Sequence, residues 1–221
     1  AVMQCSEDWI LVHDDLEDSN ELRRGKPSAH MLYGERYAIN AGDGLHAINW
    51  KMAFDASNKL NGSTGKNFFN KFFDLILVTT EGQYIDMHLT HDVADITKFS
   101  LEDYFESISA KSGYYSVYGP MQLGATIANQ NENVLNKIKE YGVPISRAFQ
   151  IKDDILDCVS TEDELGKTIG NDVLDGVKTS ILWHFVQHAS KEDLEKAKQI
   201  YLKERKNKTQ ADVEFMFECF K

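Results

Sequence analysis

Acidic residues occupy four of the five positions in Asp14-Asp15-Leu16-Glu17-Asp18, and the Asp spacing recurs far downstream in Asp153-Asp154-Ile155-Leu156-Asp157. Residues four apart share a face on an α-helix, so Asp14 and Asp18 point one way with Asp15 beside them, and the second cluster repeats the arrangement. Carboxylates crowded in this way repel and raise one another's pKa. A divalent cation removes that penalty, and Mg²⁺ prefers carboxylate and phosphate oxygens. One acidic cluster usually reads as a solvated helix face. Two clusters of the same spacing point to metal.

The rest of the pattern is helical too. Residues 3 to about 17 read as a helix that delivers the first cluster at its C-terminal end, and Gly25 and Pro27 break the polar stretch that follows. Apolar residues recur at helical spacing from Tyr33 to about Ser57 and from Phe68 to about Met87, with a loop from Asn58 to Gly65. His88 to Phe99 reads as irregular, and Ser100 with Asp103 marks a helix start. A short helix over Tyr104–Lys111 is expected to stop at Ser112-Gly113 before another over Tyr114–Ala128. Glu132 to Asp157 is a long helix that Pro144 should kink. Cys158 to Lys178 reads as a loop with one turn in it. Ser180–His188, Glu192–Lys206 and a last segment from Thr209 are helical. No stretch alternates like a strand, so the expectation is all-α: one domain over residues 1–221, an antiparallel helix bundle with a central active-site cavity built from facing side chains.

Composition removes several classes of function. The net charge of −11 opposes a nucleic-acid partner, because phosphate-backbone binding needs basic surface. An anionic substrate is compatible only if metal ions invert the local sign. Cys5, Cys158 and Cys219 have no metal-type spacing and read as reduced thiols. No apolar run reaches transmembrane length, which leads to the expectation of a cytoplasmic protein without stable membrane insertion. His88 with His91, and His184 with His188, have suggestive spacing but no third ligand in register.

Around the first cluster the pattern is specific. Asp14-Asp15-x-x-Asp18 is followed by Arg23-Arg24-Gly25-Lys26-Pro27 and His30. Then come Asn40-Ala41-Gly42-Asp43, Gly82-Gln83-x-x-Asp86, Lys111-Ser112-Gly113, Phe149-Gln150-x-x-Asp153-Asp154-x-x-Asp157 and Gly166-Lys167-x-x-Gly170-x-Asp172. This ordered set resembles the trans-isoprenyl diphosphate synthases, the family of the farnesyl and geranylgeranyl diphosphate synthases. The resemblance implies a prenyltransferase and a homodimer. An allylic diphosphate (dimethylallyl, geranyl or farnesyl) ionises with Mg²⁺ assistance, the double bond of isopentenyl diphosphate attacks the cation, and a proton leaves.

The resemblance also implies roles. Asp14, Asp18 and Asp153 would ligate Mg²⁺ directly, and Asp15, Asp154 and Asp157 directly or through water, the two clusters facing one another. Arg23 would meet the allylic diphosphate and Arg24 the isopentenyl diphosphate; the planar guanidinium fork suits phosphate oxygens. Lys111 and Lys167 would hold the allylic diphosphate. Ser112 and Gln150 would turn oxygens toward the developing cation, and Phe149 would lie beside isopentenyl diphosphate. Lys178 would also bind substrate by resemblance, although the family's Gly-Lys-x-Thr is here Gly176-Val177-Lys178-Thr179, which displaces that lysine by one.

Both ends of the chain look cut: the family's Gly-Gly-Lys-x-x-Arg segment and its C-terminal helices and basic tail are absent. Ile10, four residues before Asp14, lies under it on one face, and Trp9 is about 7.5 Å of helix rise below it. By resemblance a bulky residue there floors the product tunnel and implies a C15 or C20 product. Two other readings stand beside the prenyltransferase: a non-catalytic partner subunit or inactive fragment, and a class I terpene cyclase, which would need neither Arg24 nor the complete second cluster.

Overall fold

The computed structural model describes residues 1–160 and 169–221. The fold is all-α, as the periodicity predicts. The helices are α1 (Val2–Glu17), α2 (Ala29–Tyr33), α3 (Glu35–Asn58), α4 (Ser63–Met87), α5 (Leu101–Ile108), α6 (Gly119–Ile127), α7 (Glu132–Val159), α8 (Asn171–Asp175), α9 (Ser180–His188), α10 (Lys191–Tyr201) and α11 (Gln210–Phe220). Their residues gather into two compact units. The first holds Ala1–Asp74 and Pro120–Ile138, and the second Leu75–Gly119, 139–160 and Ile169–Lys221. None of the described helices is long and apolar enough to cross a membrane.

In the first unit α1 lies on α3. Gly42 is what lets them meet, since a Cβ there would run into the His13 ring. The Asn49 amide donates to the Val2 carbonyl at 2.7 Å. Lower on the same seam the Trp9 indole lies 4.5 Å from the His46 ring. The Trp50 indole donates to His46 Nε2 at 2.7 Å, and Trp50 itself packs among Phe69, Phe72 and Phe73 at the start of α4. The Phe68–Phe73 stripe is therefore partly core, with Phe72 fully buried and Phe73 half exposed.

The core of the second unit is apolar side chains from α8 to α11, with Leu182, Ile200, Met216 and Val173 at its centre, joined by Leu89, Ile96 and Phe99. Four of its helix starts are capped by side chains. Ser100 with Asp103 and Thr209 with Asp212 form complete capping boxes, and Thr179 and Ser190 accept backbone N–H groups. Each cap is worth about 1 kcal/mol.

Four local expectations change. The Ser19–Ser28 stretch is not merely polar coil: Leu22–Arg23 pairs antiparallel with Lys26–Pro27. Arg24 and Gly25 both take positive φ, 54° and 72°, the backbone of a tight two-residue hairpin turn. Gly34, at φ 90°, separates α2 from α3. Ser112-Gly113 does not interrupt the chain, because a π-helical run over Ser109–Tyr118 carries it from α5 into α6. Gly113 serves instead as a close approach, where a Cβ would sit 2.5 Å from Ser146 Oγ. Finally, α10 ends at Tyr201, and Arg205–Asn207 forms a separate 3₁₀ turn. Helix α7 runs through Pro144 without a break.

Candidate active site

The first acidic turn closes α1. Asp14 and Asp18 are half-buried there, while Asp15 is buried. The hairpin that follows returns Arg23 to this turn. Its guanidinium donates from Nε to Asp15 Oδ1 at 2.9 Å, makes a second, very short bond from its terminal nitrogen to the same oxygen, and reaches Asp14 Oδ2 at 3.4 Å. Burial pushes the Asp15 carboxyl up, and the hydrogen bond and charge of Arg23 pull against it. Arg24, at the tip, turns its guanidinium to Glu7 at 2.6 Å. The two arginines that the sequence assigns to two diphosphates are thus both engaged with α1 carboxylates.

The second acidic turn, on α7, is arranged differently. Asp154 and Asp157 are buried and Asp153 half-buried. The Tyr104 hydroxyl donates to Asp154 Oδ2 at 2.6 Å, and the Gln150 amide to Oδ1 at 3.3 Å. Burial pushes the Asp154 carboxyl up, opposed by those two bonds. Burial and then the Asp154 charge push the Tyr104 phenol well above its ordinary value. Asp157 accepts the backbone N–H of Asp172 at 3.4 Å. Cys158 is a free thiol pushed up to about 12 by burial and the acids beside it, which agrees with an unreactive packed side chain.

Lys111 stands within the π-helical run and donates to Asp86 of α4 at 2.7 Å, and the Ser107 hydroxyl reaches the same carboxylate at 3.4 Å. Gly82, one turn before Asp86, is what admits this run against α4, since a Cβ there would fall on the Lys111 amide. Wide π-helical turns recur at functional positions because they redirect side chains. Ser112 is half-buried beside Lys111, and Phe149 is 64% exposed. Lys178 is buried: its ammonium donates to the carbonyls of Gly176 at 2.9 Å and Thr90 at 3.4 Å. Burial and then the Lys208 charge push it down to about 8. Lys167 lies outside the described residues. Trp9 and Ile10 lie on α1 below Asp14, where Trp9 also meets the His13 ring edge-on at 6.0 Å.

No three His, Cys, Asp or Glu side chains converge into a metal cage among the described residues. The donors come singly and in pairs, and all are carboxylate oxygens. That set fits Mg²⁺, which takes one or two carboxylates and keeps its other positions for water and phosphate. The two histidine pairs do not supply a centre either: His88 bonds to Asp92 at 2.9 Å, and His184 stacks on His188.

The residues that the sequence left without a role are Tyr104, Asp86 and Ser180. Asp86 stands in a quoted motif, but nothing near it in sequence announces Lys111 as its partner. Tyr104 is fifty positions from Asp154, and no local pattern reports such a pairing.

Known proteins match most or all of the chain. A geranylgeranyl diphosphate synthase of Saccharolobus solfataricus is 34% identical over 220 residues, covering 92% of this chain and 65% of that enzyme. A short chain isoprenyl diphosphate synthase of Methanocaldococcus jannaschii is 34% identical over 185 residues, covering 83% of this chain and 54% of the relative. The solved polyprenyl synthase of Caulobacter crescentus CB15, complexed with calcium and isoprenyl diphosphate, superposes with a TM-score of 0.86 at 25% identity, covering 100% of this chain and 63% of the other. The chain therefore spans less than two thirds of the length of each. The polyprenyl synthetase family model matches residues 1–220. With that match added to the two acidic turns and the all-helical fold, the chain belongs to the polyprenyl synthetase family.

Proposed function

We propose that this chain is the catalytic core of a short-chain prenyltransferase that joins isopentenyl diphosphate to an allylic diphosphate and forms farnesyl or geranylgeranyl diphosphate. One observation carries the reading. In both acidic turns the second aspartate is tied down by its own partner, Asp15 by Arg23 and Asp154 by Tyr104 and Gln150, beside less buried first aspartates of the same spacing. A merely solvated acidic face has no need of such support.

In this reading Asp14 and Asp18 would each offer a carboxylate to Mg²⁺ at the first turn and Asp153 one at the second, while Asp15, Asp154 and Asp157 support them. Bound there, the metal would neutralise the charge that gathers on the departing diphosphate. Arg23 keeps the first turn from repelling itself, and a guanidinium with part of its fork exposed still has donors for phosphate oxygen. Lys111, steadied by Asp86, adds a cation for the allylic diphosphate, as Lys167 does by resemblance. Ser112 supplies an oxygen dipole for the positive carbon left by C–O cleavage. Gln150 is proposed to share its amide between Asp154 and that carbon. Arg24 and Phe149 serve isopentenyl diphosphate, whose double bond attacks before a proton leaves. Lys178, turned to two carbonyls, contributes to the loop rather than to the substrate. Trp9, braced by His46, closes the path of the growing chain, which supports a short product. Exposed apolar residues on α2 and α3, among them Met31, Leu32, Tyr33 and Tyr37, support a dimer of such chains; a cytoplasmic location belongs to the same proposal.

The test is direct. The protein is incubated with Mg²⁺, isopentenyl diphosphate and dimethylallyl, geranyl or farnesyl diphosphate, and the products are identified by chromatography. Elongated C15 or C20 diphosphates are expected. Cyclic hydrocarbons would point to a terpene cyclase. Absence of turnover would favour the second reading, a partner subunit or fragment.

A further inference from the structure

Asp154 is among the best-tethered carboxylates of the second unit. Its side chain meets three donors from three helices: the Tyr104 hydroxyl of α5 at 2.6 Å on Oδ2, the Gln150 amide of α7 at 3.3 Å on Oδ1, and the Ser180 hydroxyl of α9 at 3.5 Å on Oδ2. Residue exposure is 3% for Tyr104 and 4% for Asp154, so neither group can exchange its partner for bulk water. Both helices that bring a hydroxyl are themselves fixed at their starts, α5 by the Ser100–Asp103 capping box and α9 by the Thr179 side chain.

Consecutive residues of an α-helix project about 100° apart. Pinning the side chain of Asp154 to α5 and α9 therefore sets the direction in which Asp153 leaves α7. We propose that Tyr104 is a positioning residue for the second acidic turn and acts through Asp154, which is an anchor and not itself a ligand of the ion. The inference rests on the reading of that turn as a divalent-ion site. It assigns a role to a phenol that lies outside every acidic or basic motif of the chain, and to Ser180 as the lesser donor to the same oxygen. A ligand-orienting partner of this kind is typically worth about 10- to 100-fold in metal affinity.

The opposite arrangement makes an opposite prediction. Were Asp154 itself a ligand, Asp154→Asn would abolish the site as Asp153→Asn does, and would cost far more than the roughly 10- to 100-fold of an orienting partner. The experiment uses the whole 221-residue chain, Mn²⁺ as a paramagnetic stand-in for Mg²⁺, and inorganic pyrophosphate, with free Mn²⁺ read from its electron paramagnetic resonance signal. The sites followed are those lost in Asp153→Asn. Tyr104→Phe is expected to weaken them about tenfold, Asp154→Asn by a similar factor, and the double variant no further than either alone. Loss of the sites in Asp154→Asn, unchanged or tighter binding in Tyr104→Phe, or effects that multiply in the double variant, would overturn the proposal. Circular dichroism confirms that each variant is folded. If Tyr104→Phe does not fold, Ser180→Ala takes its place, with a loss of about threefold expected from its longer bond and none in the Asp154→Asn background. If the unaltered chain takes up no Mn²⁺ with pyrophosphate, the ion-site reading itself falls and the inference with it. That outcome is distinct from a variant that binds like the parent.

Discussion

The two acidic turns share one spacing and are stabilised by different chemistry. At the end of α1 a cation does the work: Arg23 pairs with Asp15 and Asp14 while its own side chain stays 36% exposed. Near the C-terminal end of α7 neutral donors do it, with Asp154 held by a phenol, an amide and a hydroxyl and, among the described residues, no cation bonded to it. What packs against each turn explains the difference. A turn at a helix end is followed by chain that can fold back, and a two-residue hairpin is enough to return Arg23 eight residues later. The second turn also lies near a helix end, but its second aspartate is buried against α5 and α9, so its partners come from those helices, and desolvation then favours donors that carry no charge of their own. Identical acidic motifs do not imply identical electrostatics.

The comparison can be broken at several points. The largest expected effect is common to both turns. Asp14→Asn and Asp153→Asn should each lower prenyl transfer on the order of 10³-fold, measured as product formed per unit time at saturating Mg²⁺. If one variant retains full activity, its turn is not a metal site. The next effect is specific to the first turn. Arg23→Gln should cost about 2 kcal/mol in urea unfolding, less than the roughly 3–5 kcal/mol of a fully buried pair because Arg23 is part-exposed. Adding Asp15→Asn should recover part of that loss, since no buried charge is then left unpaired. Additive losses would show that the two side chains are not coupled.

A smaller effect belongs to the loop beyond the second turn. Lys178 is held at about 8, below the 10.5 of an ordinary lysine, chiefly by burial. Between those values the unfolded chain binds the extra proton, so stability should rise with pH. Lys208, also pushed down to about 8 by burial, works in the same direction. Cys158 works in the opposite sense above its ordinary value of 9.0, because the folded chain keeps a thiol proton that the unfolded chain has lost. The clean window is therefore pH 8 to 9. Each lysine contributes about 1 kcal/mol of rise there, and denaturation curves of Lys178→Met should show that share removed. The smallest effect returns to the two turns. Raising salt from about 0.1 to 1 M shortens the Debye length from about 10 to 3 Å. The Arg23–Asp15 coupling should then weaken by a few tenths of a kcal/mol, while the Tyr104–Asp154 coupling stays constant. Equal salt responses in the two double-mutant cycles would remove the distinction drawn between them.

Much was legible along the chain because it is local. Helical periodicity located α1, α3, α4, α7 and α9. The Ser100/Asp103 and Thr209/Asp212 pairs announced two helix starts, and the Asp spacing marked both acidic turns before any packing was known. Each of these depends on residues three or four apart. The misreadings at Ser112-Gly113 and Ser19–Ser28 have another origin. Glycine usually ends a helix, but Gly113 is placed for the close approach of Ser146. A π-helical run also has no signature that distinguishes it from α in the bare sequence.

By itself, then, the sequence determined the all-helical class, the two acidic faces and the family's order of motifs, since helix formation and carboxylate repulsion act within one turn. Only the tertiary structure decided which groups answer those carboxylates: Arg23 returned by a hairpin, Tyr104 and Ser180 brought by separate helices, Asp86 turned to Lys111. Those pairings join residues 8 to 50 positions apart. What selects them is the cost of leaving a buried charge unsatisfied, which arises only once the helices are packed.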